Sequence, residues 1–197
     1  LQPTTPGGVD EKRKAIETAV EQVKLGDKQA YREIIIQFER QMYTYCYYIL
    51  KNHTETEDAV QEIFIRAYEN IYQYRRQVSF SAWLYKMAYH HLINIKKKQS
   101  RWLKLVEHYK ESQPVMQISQ HETVVSELLT YLTVEERHIL LLKAVEQYTF
   151  DEISEIMGVK SATLRKRYER LRRKLMDRTS QKGEVMHGQI AKTDGIR

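Results

Sequence analysis

Apolar residues recur at steps of three and four along most of the chain, the spacing that gathers side chains on one face of an α-helix. Ala15, Ile16, Ala19, Val20 and Val23 predict a helix over 10–25. Gly26-Asp27 breaks it, and Asp27 is a good N-cap for the next. Ile34, Ile35, Phe38, Met42, Tyr45 and Ile49 predict a helix over 28–51, followed by a turn at Asn52-His53. Thr54 and Glu57 have the spacing of a capping box. Ala59, Val60, Ile63, Phe64, Ala67 and Ile71 then form the inner half of a helix over 55–72. Leu84, Ala88, Leu92 and Ile95 predict a helix over 82–98, capped by Ser79 or Ser81. Periodicity lapses over 100–122, which holds Pro114 and several Gln and Ser and reads as a linker with a short helix near 102–109. It returns with Val124, Val125, Leu128, Leu129 and Leu132. A capping box of Thr133 and Glu136 opens a helix over 134–146, with Ile139, Leu140, Leu142 and Val145 as its apolar side.

The pattern is most specific over 149–178. Thr149 and Glu152 form a further capping box, and Ile153, Ile156 and Met157 supply a short apolar face. Gly158 closes that helix, where a left-handed backbone costs glycine least. In the helix that follows, Leu164, Tyr168, Leu171 and Leu175 share one side; Ala162, Lys166, Glu169, Arg170 and Arg173 share the other. From Lys160 to Arg178 nine bases stand against two acids, Glu169 and Asp177. A short helix, a glycine turn and a basic amphipathic helix are what a major-groove reader needs: the apolar stripe docks on its own domain and the cations meet phosphates and base edges.

The fold class predicted is therefore all-α. Two small helical domains, 10–99 and 123–178, are joined by a flexible linker over 100–122, with a flexible lead at 1–9 and a polar, disordered tail at 179–197. Composition agrees: among 197 residues Gly and Pro are scarce and 29% are charged, with a net charge of +6 that suits nucleic-acid partners. The single cysteine, Cys46, permits no internal disulfide, fits a reducing cytoplasm and reads as a buried, inert thiol. No apolar run is long enough to span a bilayer.

Three surfaces carry candidate chemistry. Asp58, Gln61, Glu62, Ile65 and Glu69 cluster on the outer half of the 55–72 helix, an acidic face suited to a basic partner. The loop over 72–81 mixes aromatics, two arginines and amides, which can stack bases and hold phosphates of a single strand. Trp83, Lys86, His90, Ile93, Asn94 and Lys97 share the outer face of the next helix. His90-His91 does not read as a metal site, because adjacent helical residues point about 100° apart. No metal, no cofactor and no catalytic residue is expected, since no nucleophile–base set or Gly-rich phosphate loop occurs.

Together these pieces resemble the extracytoplasmic-function sigma factors, the two-domain initiation factors of bacterial RNA polymerase. Glu57-Asp58-Ala59-Val60-Gln61-Glu62-Ile63-Phe64-Ile65-Arg66-Ala67-Tyr68 resembles the family's core-binding helix. Phe80-Ser81-Ala82-Trp83-Leu84-Tyr85-Lys86-Met87-Ala88 resembles its promoter-melting segment, and 149–175 its helix-turn-helix. The resemblance implies that Asp58, Gln61, Glu62 and Ile65 dock on the clamp helices of the largest polymerase subunit. It implies that Gln73, Tyr74, Arg75, Arg76, Phe80, Trp83, Lys86, His90, Asn94 and Lys97 open and hold the −10 element. Lys160, Ser161, Thr163, Lys166, Arg167, Arg170 and Arg173 would bind the −35 element. An anti-sigma factor as partner and no membrane insertion are implied too. The sequence departs from the family pattern at His90 and Asn94, where Asn and Asp are usual, and at Lys160 and Ala162, where Ser and Gly are usual. The competing reading is a free-standing helix-turn-helix regulator with a helical effector domain, which would leave the acidic face and the Arg/aromatic loop without a task.

Overall fold

The computed structural model describes residues 6–109 and 129–193, and all regular structure among them is helical. The chain divides into two compact units. In the N-terminal unit, α1 (Pro6–Lys24), α2 (Ala30–Leu50), α3 (His53–Glu69) and α4 (Phe80–Tyr109) are joined by short turns, with a 3₁₀ turn at Ile71–Gln73 before α4. α1 packs on α2, and α2, α3 and α4 pack on one another. The predicted stripes form this core: Ile34, Met42 and Ile49 of α2, Ile63 and Ala67 of α3, and Leu84, Ala88 and Leu92 of α4 are fully buried. Each large apolar side chain so buried contributes roughly 1.5–3 kcal/mol. Cys46 is enclosed there, and burial pushes its thiol up to about 12.

The helix boundaries differ from the sequence expectation in instructive places. α1 starts at Pro6 instead of 10, so Gly7 and Gly8 are helical; proline suits a first turn, where its missing N–H has no intrahelical acceptor. Asp27 Oδ1 accepts from Gln29 N at 2.9 Å, and α2 begins later than expected, at Ala30. Asn52, and not Thr54, caps α3: its side-chain oxygen accepts from Glu55 N at 3.0 Å. Lys51 turns left-handed (φ 58°) ahead of it, which releases Asn52 into extended backbone and starts the helix at His53. Ser79, not Ser81, caps α4, with Oγ 3.2 Å from Ala82 N. α4 then runs for thirty residues through the start of the expected linker, so the short helix expected near 102–109 is its last part. The remainder of that linker, and the apolar positions Val124, Val125 and Leu128 that follow it, lie outside the described residues.

In the C-terminal unit, α5 (Val134–Leu140) carries the predicted capping box: Thr133 Oγ1 accepts from Glu136 N, and Glu136 accepts from Thr133 N. The single helix expected over 134–146 instead opens into a π-helical turn at Leu141–Val145. The wider turn takes up one extra residue, which rotates Val145 out of the apolar face, leaving it 53% exposed. α6 (Phe150–Met157) and α7 (Ser161–Thr193) follow. α5 packs on α7, and Ile139, Leu142, Ile153, Leu164 and Leu171 are buried. The tail expected to be disordered is helical as far as Thr193.

Candidate nucleic-acid interface

The helix-turn-helix is built as its sequence predicts. Thr149 Oγ1 accepts from Glu152 N at 3.2 Å and Thr149 N donates to Glu152 Oε2 at 2.8 Å, so two orphan donors of α6 are satisfied. Gly158 adopts φ +67° and turns the chain into α7. Leu164 and Leu171 hold α7 down. Lys160, Lys166, Arg170 and Arg173 are exposed, and Ser161 and Thr163 are half-exposed at its first turn. Arg167 stands apart from this set, because its guanidinium is ion-paired with Glu135 of α5. Lys174 reaches Glu136 at 3.2 Å, so two acids of α5 tie down the back of the basic helix. Arg165 lies over the Phe150 ring, 5.7 Å from its centre, and is likewise engaged with its own unit.

On the N-terminal unit, Trp83 is half-buried while Lys86, His90, Asn94 and Lys97 are exposed along one face of α4, as expected. The loop before α4 is sorted more sharply than its composition suggests. Tyr74 and Phe80, expected among the −10 contacts, are core residues: both are buried, with ring centres 5.3 Å apart, and Trp83 packs on them. The reason is positional. Ala67, Ile71 and Tyr74 continue the inner stripe of α3 through the 3₁₀ turn, a spacing already present in the sequence. Arg76 is turned back onto α1, with Nε 3.3 Å from Glu17 Oε2, and Arg75 donates to the Tyr72 carbonyl at 2.8 Å. Gln73 is exposed and donates to Asn70 Oδ1. The aromatic that faces outward is Tyr72, 61% exposed and absent from the expected set.

The outer face of α3 presents Asp58, Gln61 and Ile65, all exposed, beside a half-buried Glu62. Glu62 accepts from Arg66 Nε at 2.6 Å, one turn along. Two shallow recesses flank this face. One, lined by Asp58, Glu62, His91 and Ile95, sits towards α4; burial and then the nearby Arg66 charge hold the His91 pKa down. The other is apolar, lined by Tyr31, Ile35, Phe64, Ile65 and Tyr68 between α2 and α3. Among the described residues no cluster of His, Cys, Asp or Glu could hold a metal ion, and no helix is long and apolar enough to cross a membrane.

Residues 34–110 match the family model described as Sigma-70 region 2, and residues 123–175 the one described as Sigma-70, region 4. The ECF RNA polymerase sigma factor SigW of Bacillus subtilis is 30% identical over 183 residues, spanning 82% of this chain and 97% of SigW. The chain belongs to the ECF sigma factors of RNA polymerase. The sigma-E factor of Escherichia coli is 25% identical over 78% of this sigma factor and 88% of its own length. Solved structures share the fold. The sigma factor RpoE of Bartonella quintana, in complex with the anti-sigma factor NepR, matches with a TM-score of 0.63 at 15% identity, over 75% of this chain and 94% of RpoE. CnrH, in complex with the cytosolic domain of CnrY, matches with a TM-score of 0.62 at 17% identity, over 85% and 96% of the two chains. As a sigma factor the chain directs RNA polymerase to promoters, which sets aside the free-standing regulator.

Proposed function

We propose that this sigma factor divides its work among the three surfaces. Asp58, Gln61, Glu62 and Ile65 dock on the clamp helices of the largest subunit of core RNA polymerase, the apolar recess beside Ile65 extending the acidic face. Tyr72, Gln73, Arg75 and Trp83, with Lys86, His90, Asn94 and Lys97, take the opened −10 strand by stacking and by phosphate contact. Lys160, Ser161, Thr163, Lys166, Arg170 and Arg173 enter the major groove of the −35 element, while Arg167 ties α7 to α5. The observation that carries this reading is the segregation of exposed charge: acids on the outer face of α3, cations on the outer faces of α4 and α7. An anti-sigma factor that covers the α3 face would hold the protein inactive, and in the cell the active form would sit with polymerase on the nucleoid. In a pull-down with purified core RNA polymerase, the intact chain binds and the Asp58→Ala/Glu62→Ala variant loses roughly tenfold or more in affinity, as expected when charge-assisted contacts are removed. Equal binding by the two would remove the α3 face from the interface.

A further inference from the structure

Glu17 belongs to no motif in the sequence, and it precedes the segment that matches region 2, residues 34–110. Its carboxylate nevertheless meets two residues of the loop between the 3₁₀ turn and α4, and the first residue of α4 itself. Oε1 accepts from the Tyr74 hydroxyl at 2.7 Å and from the Phe80 N–H at 3.4 Å. Oε2 lies 3.3 Å from Arg76 Nε, and the Glu17 main-chain carbonyl accepts from Arg76 Nη2 at 3.4 Å. The Tyr74 hydroxyl is also 2.9 Å from the Val78 carbonyl, so Val78 is drawn into the same knot. Lys24, two turns further along α1, donates to the Tyr74 carbonyl at 3.1 Å. Burial, then the hydrogen bond to Glu17, push the Tyr74 phenol up, so it stays a neutral donor.

The side chain of Glu17 is only 16% exposed. A carboxylate that far out of water is costly unless paired and hydrogen-bonded; here Oε1 has its hydrogen bonds and Oε2 its ion pair with Arg76, and among the described residues these partners come from the loop and the first residue of α4. The loop has no helical ladder of its own between Tyr74 and Ser79. Fixing a free loop costs backbone entropy at every residue, and binding is weakened when that ordering must happen during the event. A loop already ordered by α1 presents Tyr72, Gln73 and Arg75 in one arrangement before any DNA arrives.

We infer that Glu17 is a positioning residue for promoter opening: from α1 it sets the conformation in which the loop over 72–79 receives an unpaired base of the −10 element. The inference rests on the −10 role given to that loop above. Three variants test it in reconstituted holoenzyme: Glu17→Ala, the isosteric Glu17→Gln, and Tyr74→Phe, which keeps the buried ring and removes only its hydroxyl. Two readouts are made on each. Trypsin cleavage after Arg75 and Arg76 reports whether the loop is braced. Permanganate reactivity of −10 thymines reports opening. Glu17→Ala speeds cleavage and lowers the opening rate roughly tenfold. Glu17→Gln and Tyr74→Phe show smaller defects of the same kind. All three bind core polymerase normally, and a pre-melted −10 bubble restores transcription. Unchanged cleavage in Glu17→Ala and Tyr74→Phe overturns the brace itself. Faster cleavage with normal opening overturns the −10 role of the loop while leaving the brace in place. Loss of core binding, or no rescue by the bubble, makes Glu17 a general structural residue and overturns the inference.

Discussion

His138 is an imidazole sealed inside the C-terminal unit. Burial, and then the charge of Arg137, lower its pKa to about 3. In the unfolded chain the same group titrates at about 6.5. Below that pH the unfolded state takes up a proton that the native state refuses, so native stability falls with acidification. It is fully present above the unfolded pKa and is lost at up to about 1.4 kcal/mol per pH unit as pH falls towards the native value. Denaturant titrations followed by circular dichroism at pH 7 and pH 5 should differ by about 2 kcal/mol from this group, and His138→Gln should flatten that difference. At this scale the sequence was legible wherever a period existed. Cys46 sits in a helical stripe and is buried as expected, whereas Tyr72, Tyr74 and Phe80 lie where the period is breaking down. Composition treats those three aromatics alike; only the step from Ala67 to Ile71 to Tyr74 marks one of them as core, and nothing marks Glu17 as the partner of Tyr74.

Elements were legible by their ends as much as by their faces. The Thr133 and Thr149 capping boxes formed as read, because both side chains of such a box satisfy donors within four residues and need no tertiary help. The Thr54–Glu57 pair did not, because Asn52 already captures the first free N–H and the helix begins before Thr54. Gly158 is the hinge between α6 and α7. A Cβ at this position would meet no atom within 4 Å, so the cost of Gly158→Ala is the left-handed backbone alone. That cost is about 1–2 kcal/mol. Thermal unfolding should register the loss, with Gly158→Asn losing less, since asparagine tolerates this conformation better.

For the molecule as a whole, a modest net charge of +6 conceals a strong separation of sign between the outer faces of α3 and α7. Holoenzyme binding to a −35 duplex should weaken steeply with salt, and removing one phosphate contact, as in Lys166→Ala, should reduce the slope of log affinity against log salt by about 0.9. An unchanged slope would take Lys166 off the DNA. The two helical units were legible from periodicity. A helix near 102–109 was legible too, but not its continuity with α4, because 96–101 is wholly polar; the reach of α7 to Thr193 was not, because a helix whose residues lack an apolar stripe leaves no periodic mark.

The π turn at Leu141–Val145 deserves to be seen as a phase setting. Each residue of an α-helix advances the chain by about 100°. One residue more or less in this turn would therefore offset the start of α6 by that angle, against an α7 that packing and two ion pairs hold on α5. Chain length at Leu141–Val145 thus decides whether α6 and α7 can both close on the core that holds Ile153, Leu164 and Leu171. Substitutions on the exposed side of α7 leave that closure alone, while insertions and deletions between Leu141 and Val145 would break it.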